Sequence, residues 1–126
     1  MKDAHFFALS GETISEISKI DMYGEHISIQ TESGKKFYMA HLQDCCESVR
    51  IVEVKGDPQA LVGSPIVLAE EDSDEPPGWP QEKYDEYGTH TWTSFRLVAE
   101  NGAECKIWWL GESNGYYSES VSFQLE

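Results

Sequence analysis

The chain has 126 residues, of which 40% are hydrophobic and 12% aromatic, enough apolar material for the core of one domain without disulfides or metals. Its 23 acidic residues outnumber nine basic ones, and the formal net charge is −14 at pH 7. Charge of this sign disfavours direct binding to nucleic acid and to anionic membranes, and it favours basic partners or simple solubility. We expect a single domain over residues 1–126 with a basic protein surface as its partner.

The lack of a recognisable signal peptide or membrane span, together with the cysteine content, predicts a cytoplasmic protein. The chain holds no run of about 18 apolar residues that would span a bilayer, and the apolar patch near its start is too short for a signal peptide. Of its three cysteines, Cys45 and Cys46 are adjacent and Cys105 stands alone, which is no basis for a disulfide framework. We expect reduced thiols in a reducing compartment.

The first half of the chain predicts strands joined by turns. Isoleucines at positions 14, 17 and 20 fit a bulged strand or a short helix. Residues 26–31 and 36–40 alternate polar and apolar side chains around a turn sequence, which predicts a β-hairpin. A strand over 48–54 follows, then one helical turn that Asp57 and Pro58 begin and Gly63 ends, and then a short strand over 64–69.

Residues 70–88 differ in composition from the rest. Eight of the seventeen residues from 70 to 86 are acidic and three are proline. This composition predicts an acidic, proline-containing surface loop within the domain. Trp79, Tyr84 and Tyr87 either pin this loop to the fold or act as exposed anchors for a partner.

The last third predicts a second hairpin from residues 91–98 and 104–110, a loop over 111–115 and a final strand over 116–125. Alternation along these strands puts Trp108 and Trp109 on opposite faces, and likewise Tyr116 and Tyr117. The predicted fold is therefore mainly β, an antiparallel sandwich or open barrel of about seven or eight strands with one or two short helices.

A first motif, His-Leu-Gln-Asp-Cys-Cys-Glu-Ser-Val over residues 41–49, begins where a predicted strand ends. Its imidazole, thiol and carboxylate groups are ligands of zinc and iron, but adjacent cysteines rarely turn both sulfurs to one ion, so we expect no metal and no cofactor. A Cys45 or Cys46 nucleophile beside His41 and Asp44 lacks every known local signature. The structural alternative is that Asp44 caps a turn and the cysteines are buried. We assign no catalytic residue.

A second motif, Gly-Glu-Ser-Asn-Gly-Tyr-Tyr-Ser-Glu-Ser-Val over residues 111–121, also lacks strand alternation at its start. Its glycines could form an anion cradle, but Glu112 and Glu119 oppose phosphate. A tight turn in which Asn114 and Gly115 take positive φ is the simpler interpretation. Exposed aromatic side chains beside carboxylates would suit a basic partner or a sugar.

Together with Gly11-x-Thr13-Ile14 and residues 63–71, these two motifs resemble a family of small uncharacterised proteins of bacteriophages and bacterial genomes, a domain of unknown function. The resemblance covers nearly the whole chain. It implies a phage or mobile-element gene expressed in the cytoplasm of a bacterial host cell, and it brings no assigned activity. The acidic segment from Asp72 to Glu86 is where we expect the chain to depart most from its relatives.

Three hypotheses follow for function. The first, favoured by charge and by the lack of a catalytic set, is a non-enzymatic, acidic phage-type protein that binds a basic host protein surface and inhibits a nucleic-acid-binding defence complex, as anti-CRISPR proteins or DNA mimics do. Its candidate binding residues are Glu70, Glu71, Asp72, Asp74, Glu75, Trp79, Tyr84, Glu112 and Tyr116.

The second hypothesis is a small-molecule-binding or hydrolytic domain with a pocket between the two motifs. Its candidate lining residues are His41, Asp44, Cys46, Glu112 and Tyr116. The third is that the motifs are structural, with Asp44, Glu47, Asn114 and Ser118 satisfying backbone groups where two loops meet. The sequence does not give the oligomeric state.

Overall fold

The computed structural model describes residues 1–81 and 88–126, and these form two antiparallel sheets. The strands of the first sheet, in spatial order, are β1 (Lys2–Asp3), β9 (Ser122–Leu125), β4 (Lys36–Ala40), β3 (His26–Thr31) and β2 (Ile14–Ile17). The strands of the second sheet are β5 (Ser48–Lys55), β8 (Glu104–Ser113), β7 (Thr89–Ala99) and β6 (Ile66–Asp72). The prediction of a mainly β fold is confirmed. Both sheets are open, so the architecture is a sandwich and not a closed barrel.

Both predicted hairpins are present. β3 and β4 pair with Ile29 opposite Phe37, and β7 and β8 pair with Phe95 opposite Ile107. Alternation along each strand sends these four side chains into the space between the sheets, where they are buried. Trp109 lies in this core, whereas its neighbour Trp108 lies in a second apolar cluster, as expected for adjacent strand residues.

The core draws its largest side chains from both sheets. Trp109 and Phe95 come from the second sheet, and Phe37 comes from the first. Phe6 closes one side, with its ring centroid 4.8 Å from that of Phe95 and 5.3 Å from that of Phe123. Burying each such aromatic side chain is worth about 1.5–3 kcal/mol, so this core is the main source of stability.

The short helices among the described residues are two 3-10 turns, Phe6–Leu9 and Pro58–Leu61. The second was predicted: the Asp57 side chain accepts a hydrogen bond from the Gln59 backbone N–H at 3.0 Å, and Pro58 occupies the first position of the turn. The first was not predicted, because the sequence Phe-Phe-Ala-Leu has neither a cap nor a period. The predicted bulged strand is also found, as β2 with a register shift between Ile14 and Glu16.

Three predicted strand boundaries were wrong by three residues or more. β6 runs on to Asp72, because the long strand β7 places Arg96 and Ser94 opposite Glu70 and Asp72 and so extends the ladder into the acidic segment. β8 runs on to Ser113, where a loop was predicted. The last strand is only Ser122–Leu125, since the side chains before it hydrogen-bond locally or to other strands instead of joining a ladder. No helix among the described residues is long and apolar enough to cross a membrane.

Candidate functional site

The two motifs meet at one end of the sandwich. The first follows the end of β4 and leads into β5, and the second spans the end of β8 and the loop that leads into β9. β4 pairs with β9 and β5 pairs with β8, so the sheet topology brings both loops to the same edge of the fold. His41 joins them directly, because its Nδ1 lies 2.6 Å from the backbone oxygen of Ser120. This junction is the candidate functional site.

The first motif is folded around the carboxylate of Glu47. One carboxylate oxygen accepts hydrogen bonds from the Cys45 backbone N–H at 2.8 Å and from Gln43 Nε2 at 3.0 Å. The other lies 2.8 Å from His41 Nε2 and accepts from the Asp44 backbone N–H at 3.0 Å. The Glu47 side chain has no exposed surface, and all four partners lie within six residues of it in the sequence. Glu47 therefore sets the conformation of the whole loop.

Both ring nitrogens of His41 lie within hydrogen-bonding distance of an oxygen atom. Ser120 presents a carbonyl oxygen and Glu47 presents a carboxylate, and neither group can donate. Each ring nitrogen therefore faces an acceptor, and His41 Nε2 forms a close pair with the carboxylate of Glu47. The His41 side chain is only 4% exposed, so the pair is shielded from solvent. The pair links the two loops, and both ring nitrogens of His41 are engaged in hydrogen bonds.

The pKa of Glu47 reflects this environment. Burial by itself raises the pKa of a carboxyl group, but the hydrogen bonds from His41 and from the backbone at Cys45 and Asp44 outweigh burial and hold the pKa of Glu47 at about 2. Glu47 is therefore ionised at every physiological pH. The sequence hypothesis that Glu47 satisfies loop backbone groups is confirmed by these contacts.

The second motif is folded around Glu119, which is 9% exposed. Its carboxylate accepts hydrogen bonds from three hydroxyls, those of Thr89 at 2.5 Å, Thr91 at 2.8 Å and Ser113 at 2.5 Å. Burial raises the pKa of Glu119, but these hydroxyls outweigh it and lower the pKa below the usual value. Glu119 thereby ties the loop to the adjoining strands β7 and β8.

Gly111 allows this close approach. A Cβ atom at this position would lie 2.6 Å from the backbone oxygen of Glu119 and 2.7 Å from its Cβ. The rest of the loop is organised locally: Asn114 Oδ1 accepts from the Tyr116 N–H at 3.0 Å, and Ser118 Oγ accepts from the Ser120 N–H at 3.3 Å. Gly115 has the predicted positive φ, whereas Asn114 does not.

The two adjacent cysteines differ from expectation. Cys45 and Cys46 are joined in a vicinal disulfide and are exposed, so the prediction of reduced, buried thiols is wrong for this pair. The reason is the fold of the loop: Glu47 draws the Cys45 N–H inward, which leaves the sulfur atoms at the surface. Cys105 is a buried free cysteine, and burial raises its pKa to about 11.

The five residues proposed to line a pocket between the motifs differ in their exposure and in the groups that they contact. His41 is bound within the loop junction, while Asp44 and Cys46 are exposed beside it. Glu112 pairs with Arg50 at 2.6 Å, and Tyr116 is 83% exposed. Three cavities of about 520, 130 and 610 Å³ are lined by other residues. In the described part of the chain, no group of three histidine, cysteine or acidic side chains is placed to hold a metal ion.

The proposed acidic binding residues lie along β6 and the segment after it. Glu70 pairs with Arg96 at 3.2 Å, and Asp74 contacts Lys106 at 2.7 Å and the hydroxyl of Ser94. Glu71, Asp72 and Glu75 are exposed, and Glu75 accepts a hydrogen bond from Gln81. These contacts show that Glu70 and Asp74 fasten the segment to the outer face of the second sheet.

Trp79 also fastens this segment. Its ring meets the ring of Trp92 edge-on at 5.2 Å, beside the cluster formed by Val52, Trp92, Trp108 and Leu110. The aromatic residues were expected either to attach the loop to the fold or to act as exposed anchors for a partner. Trp79 attaches the loop to the fold. Tyr84 and Tyr87 lie outside the described residues.

Sequence reasoning did not find the role of Glu119 or its partners. Thr89 and Thr91 precede it by 30 and 28 positions, and nothing in the local pattern links them. Arg50 was also missed as the partner of Glu112, 62 positions away. Only the pairing of β7, β8 and β5 places these groups together.

Comparison with known proteins gives a family and no activity. No curated protein and no solved structure matches the chain. Residues 8–123 match the model of a domain of unknown function, DUF7448. The chain therefore belongs to the DUF7448 family, a domain of unknown function whose match extends over nearly the whole chain, as the resemblance in the sequence implied.

Proposed function

We propose that this protein is an acidic interaction module that binds a basic surface on a host protein in the bacterial cytoplasm. Its target is a surface that binds nucleic acid through lysine and arginine side chains. The bound module blocks access of nucleic acid to that surface. The observation that carries the proposal is how charge is distributed on the fold, described next.

Most of the lysine and arginine side chains that the structure describes form ion pairs with carboxylates of the same chain. Five of these described residues form the pairs: Lys19, Lys35, Arg50, Arg96 and Lys106. The excess acidic residues are on the outside. Exposed carboxylates without an ion pair among the described residues include Glu16, Glu25, Glu32, Glu53, Glu71, Asp72, Glu75 and Glu100. The surface potential is therefore negative over several faces, as a basic partner requires.

Glu71, Asp72 and Glu75, here called the acidic strip, are the best-placed contact residues. They are close in sequence, exposed, and held by a segment that Trp79 and Asp74 fasten to the second sheet. A fixed arrangement of charges loses less conformational entropy on binding than a free loop does. The competing pocket hypothesis gains no such support, since His41 is engaged in structural hydrogen bonds and Glu112 pairs with Arg50.

The test is a capture experiment from bacterial lysate with a charge-matched control. The strip variant carries Glu71→Gln, Asp72→Asn and Glu75→Gln, and the control carries Glu16→Gln, Glu32→Gln and Glu100→Gln, all at exposed positions. Asp74 and Glu70 are left intact because their changes would also loosen the fold. Both variants have the same net charge, so only the location of the lost charge differs.

The unmodified protein should capture a basic protein at about 50 mM salt and release it at about 500 mM, because salt screens exposed charges. Double-stranded DNA added to the complex should displace the module from that protein. The strip variant should lose capture and the control should keep it. Equal capture by the strip variant, or a captured protein that binds no nucleic acid, would contradict the proposal.

A further inference from the structure

Besides its pairing with β7, β6 is contacted by the 3-10 turn Phe6–Leu9, but no further strand of the described residues pairs with its outer edge beyond its start. β6 is the last strand of the second sheet, and its partner β7 covers only one side. At its start, Ile66 exchanges backbone hydrogen bonds with residues 11 and 12, at 2.8 Å each. From Leu68 to Asp72, no other strand of the described residues pairs with this edge. Five residues span about 17 Å, enough for a short added strand.

A groove runs beside this edge. A cavity of about 520 Å³ lies between β6, the segment from Asp3 to Phe7 and the start of β9. It is therefore placed between the edge of one sheet and the edge of the other. Phe7 stands at the groove with 71% of its surface exposed, and it offers an apolar contact to an incoming chain.

The polar lining of the groove is mostly acidic. Glu70, Glu71 and Asp3 line it together with His5. Although Glu71 is exposed over much of its surface, partial burial in the groove raises its pKa, and the nearby His5 offsets this only in part. A lysine or arginine placed here would stabilise the carboxylate form that burial disfavours.

We propose that the β6 edge and this groove bind an extended basic segment of the partner, which adds to the second sheet as a further strand. This inference rests on the proposed function and identifies the part of the partner that is bound. Backbone hydrogen bonds to residues 68–72 hold the segment, and its alternate lysine or arginine side chains reach Glu71 and Asp3.

A second copy of this chain does not fit the same edge. Antiparallel pairing of two β6 edges would place Glu70, Glu71 and Asp72 of one copy beside the same residues of the other. Like charges opposite one another destabilise a strand pair, and charged edge strands are a known device against self-association. The negative charge of β6 that disfavours pairing with a second copy of the chain favours pairing with a basic strand.

The experiment uses the full-length protein and a peptide of about ten residues that alternates lysine with valine. A control peptide of the same sequence carries N-methyl groups on alternate backbone amides, which keeps the charge and removes hydrogen-bond donors. Binding of the first peptide should slow amide hydrogen exchange between residues 68 and 72 by tenfold or more. The N-methylated peptide should bind about tenfold more weakly, a difference of about 1.4 kcal/mol. Glu71→Gln should weaken binding of the first peptide, and the exposed-site control Glu16→Gln should not.

Two failures are distinguishable. If the basic partner is captured but the peptide leaves exchange at residues 68–72 unchanged, or both peptides bind equally, strand addition is overturned and the proposed function stands. If neither peptide is bound and no basic protein is captured, both the proposed function and the proposed strand addition are contradicted.

Discussion

Glu47 and Glu119 are two buried carboxylates that organise two loops at the same end of the fold, yet their partners differ in kind. Glu47 is held by two backbone N–H groups, an amide nitrogen and an imidazole nitrogen. Glu119 is held by three hydroxyls. A backbone N–H can only donate, whereas a hydroxyl can rotate and accept. Glu47 must therefore be an anion, and Glu119 tolerates a neutral replacement.

The largest expected effect is that of Glu47→Gln. Whichever way the new amide is turned, its NH₂ group faces donors that have lost their acceptor. Leaving such groups unsatisfied in a buried site is costly, and we expect the midpoint of thermal unfolding to fall by about 10 °C. The matched control is Glu53→Gln at an exposed position, which should leave the midpoint unchanged. An equal midpoint for both variants would refute the role given to Glu47.

Gly111→Ala disturbs the second loop without touching its carboxylate. The added Cβ would meet backbone atoms of Glu119, which cannot move aside as the end of a flexible side chain could. We expect a loss of about 1–3 kcal/mol in the free energy of unfolding, measured with denaturant. Amide exchange should rise at residues 118–121 and stay unchanged at Asp44 and Cys45. Faster exchange in both loops would mean that they form one unit.

Acid should weaken the first loop in a defined pH window. The pKa of Glu47 is about 2 in the folded protein against an ordinary value of 4.5, so its contribution to stability is full above pH 4.5 and is lost as the pH falls toward 2. The stability difference between the unmodified protein and Glu47→Gln should be constant above about pH 5 and shrink toward pH 2. Denaturant unfolding at several pH values measures it. A difference that does not change with pH would show that ionisation of Glu47 is not what holds the loop.

The smallest effect is expected for Glu119→Gln. The amide oxygen can accept from Thr89 and Ser113 as one carboxylate oxygen does, and the NH₂ group can donate to Thr91 once its hydroxyl rotates. The loss in unfolding free energy should stay below about 1 kcal/mol. A loss as large as that of Glu47→Gln would remove the distinction between the two carboxylates.

Alternation explains why most strands could be predicted. Ile27 and Ile29 in β3, or Phe95 and Leu97 in β7, repeat every second residue and are buried together. The boundaries that failed were set by partners distant in sequence. β6 extends to Asp72 because β7 lies beside it, and residues 116–121 leave the ladder because Glu119 finds hydroxyls on other strands.

The candidate site was predicted less completely. Glu47 and its local partners could be suggested, because they lie within six residues and a polar loop needs its backbone groups satisfied. The surface position of Cys45 and Cys46 could not, since it depends on which side of the loop faces the sandwich.

The sequence alone determined the mainly β fold, its two hairpins, the capped turn at Pro58 and the acidic character of the surface, because composition, alternation and turn residues act locally. The tertiary structure decided that His41 meets Ser120, that Glu119 reaches Thr89, and that no strand of the described residues pairs with the acidic outer edge of β6. These features arise from the order in which strands pair. Strand order depends on contacts between residues far apart in the chain, which no local pattern encodes.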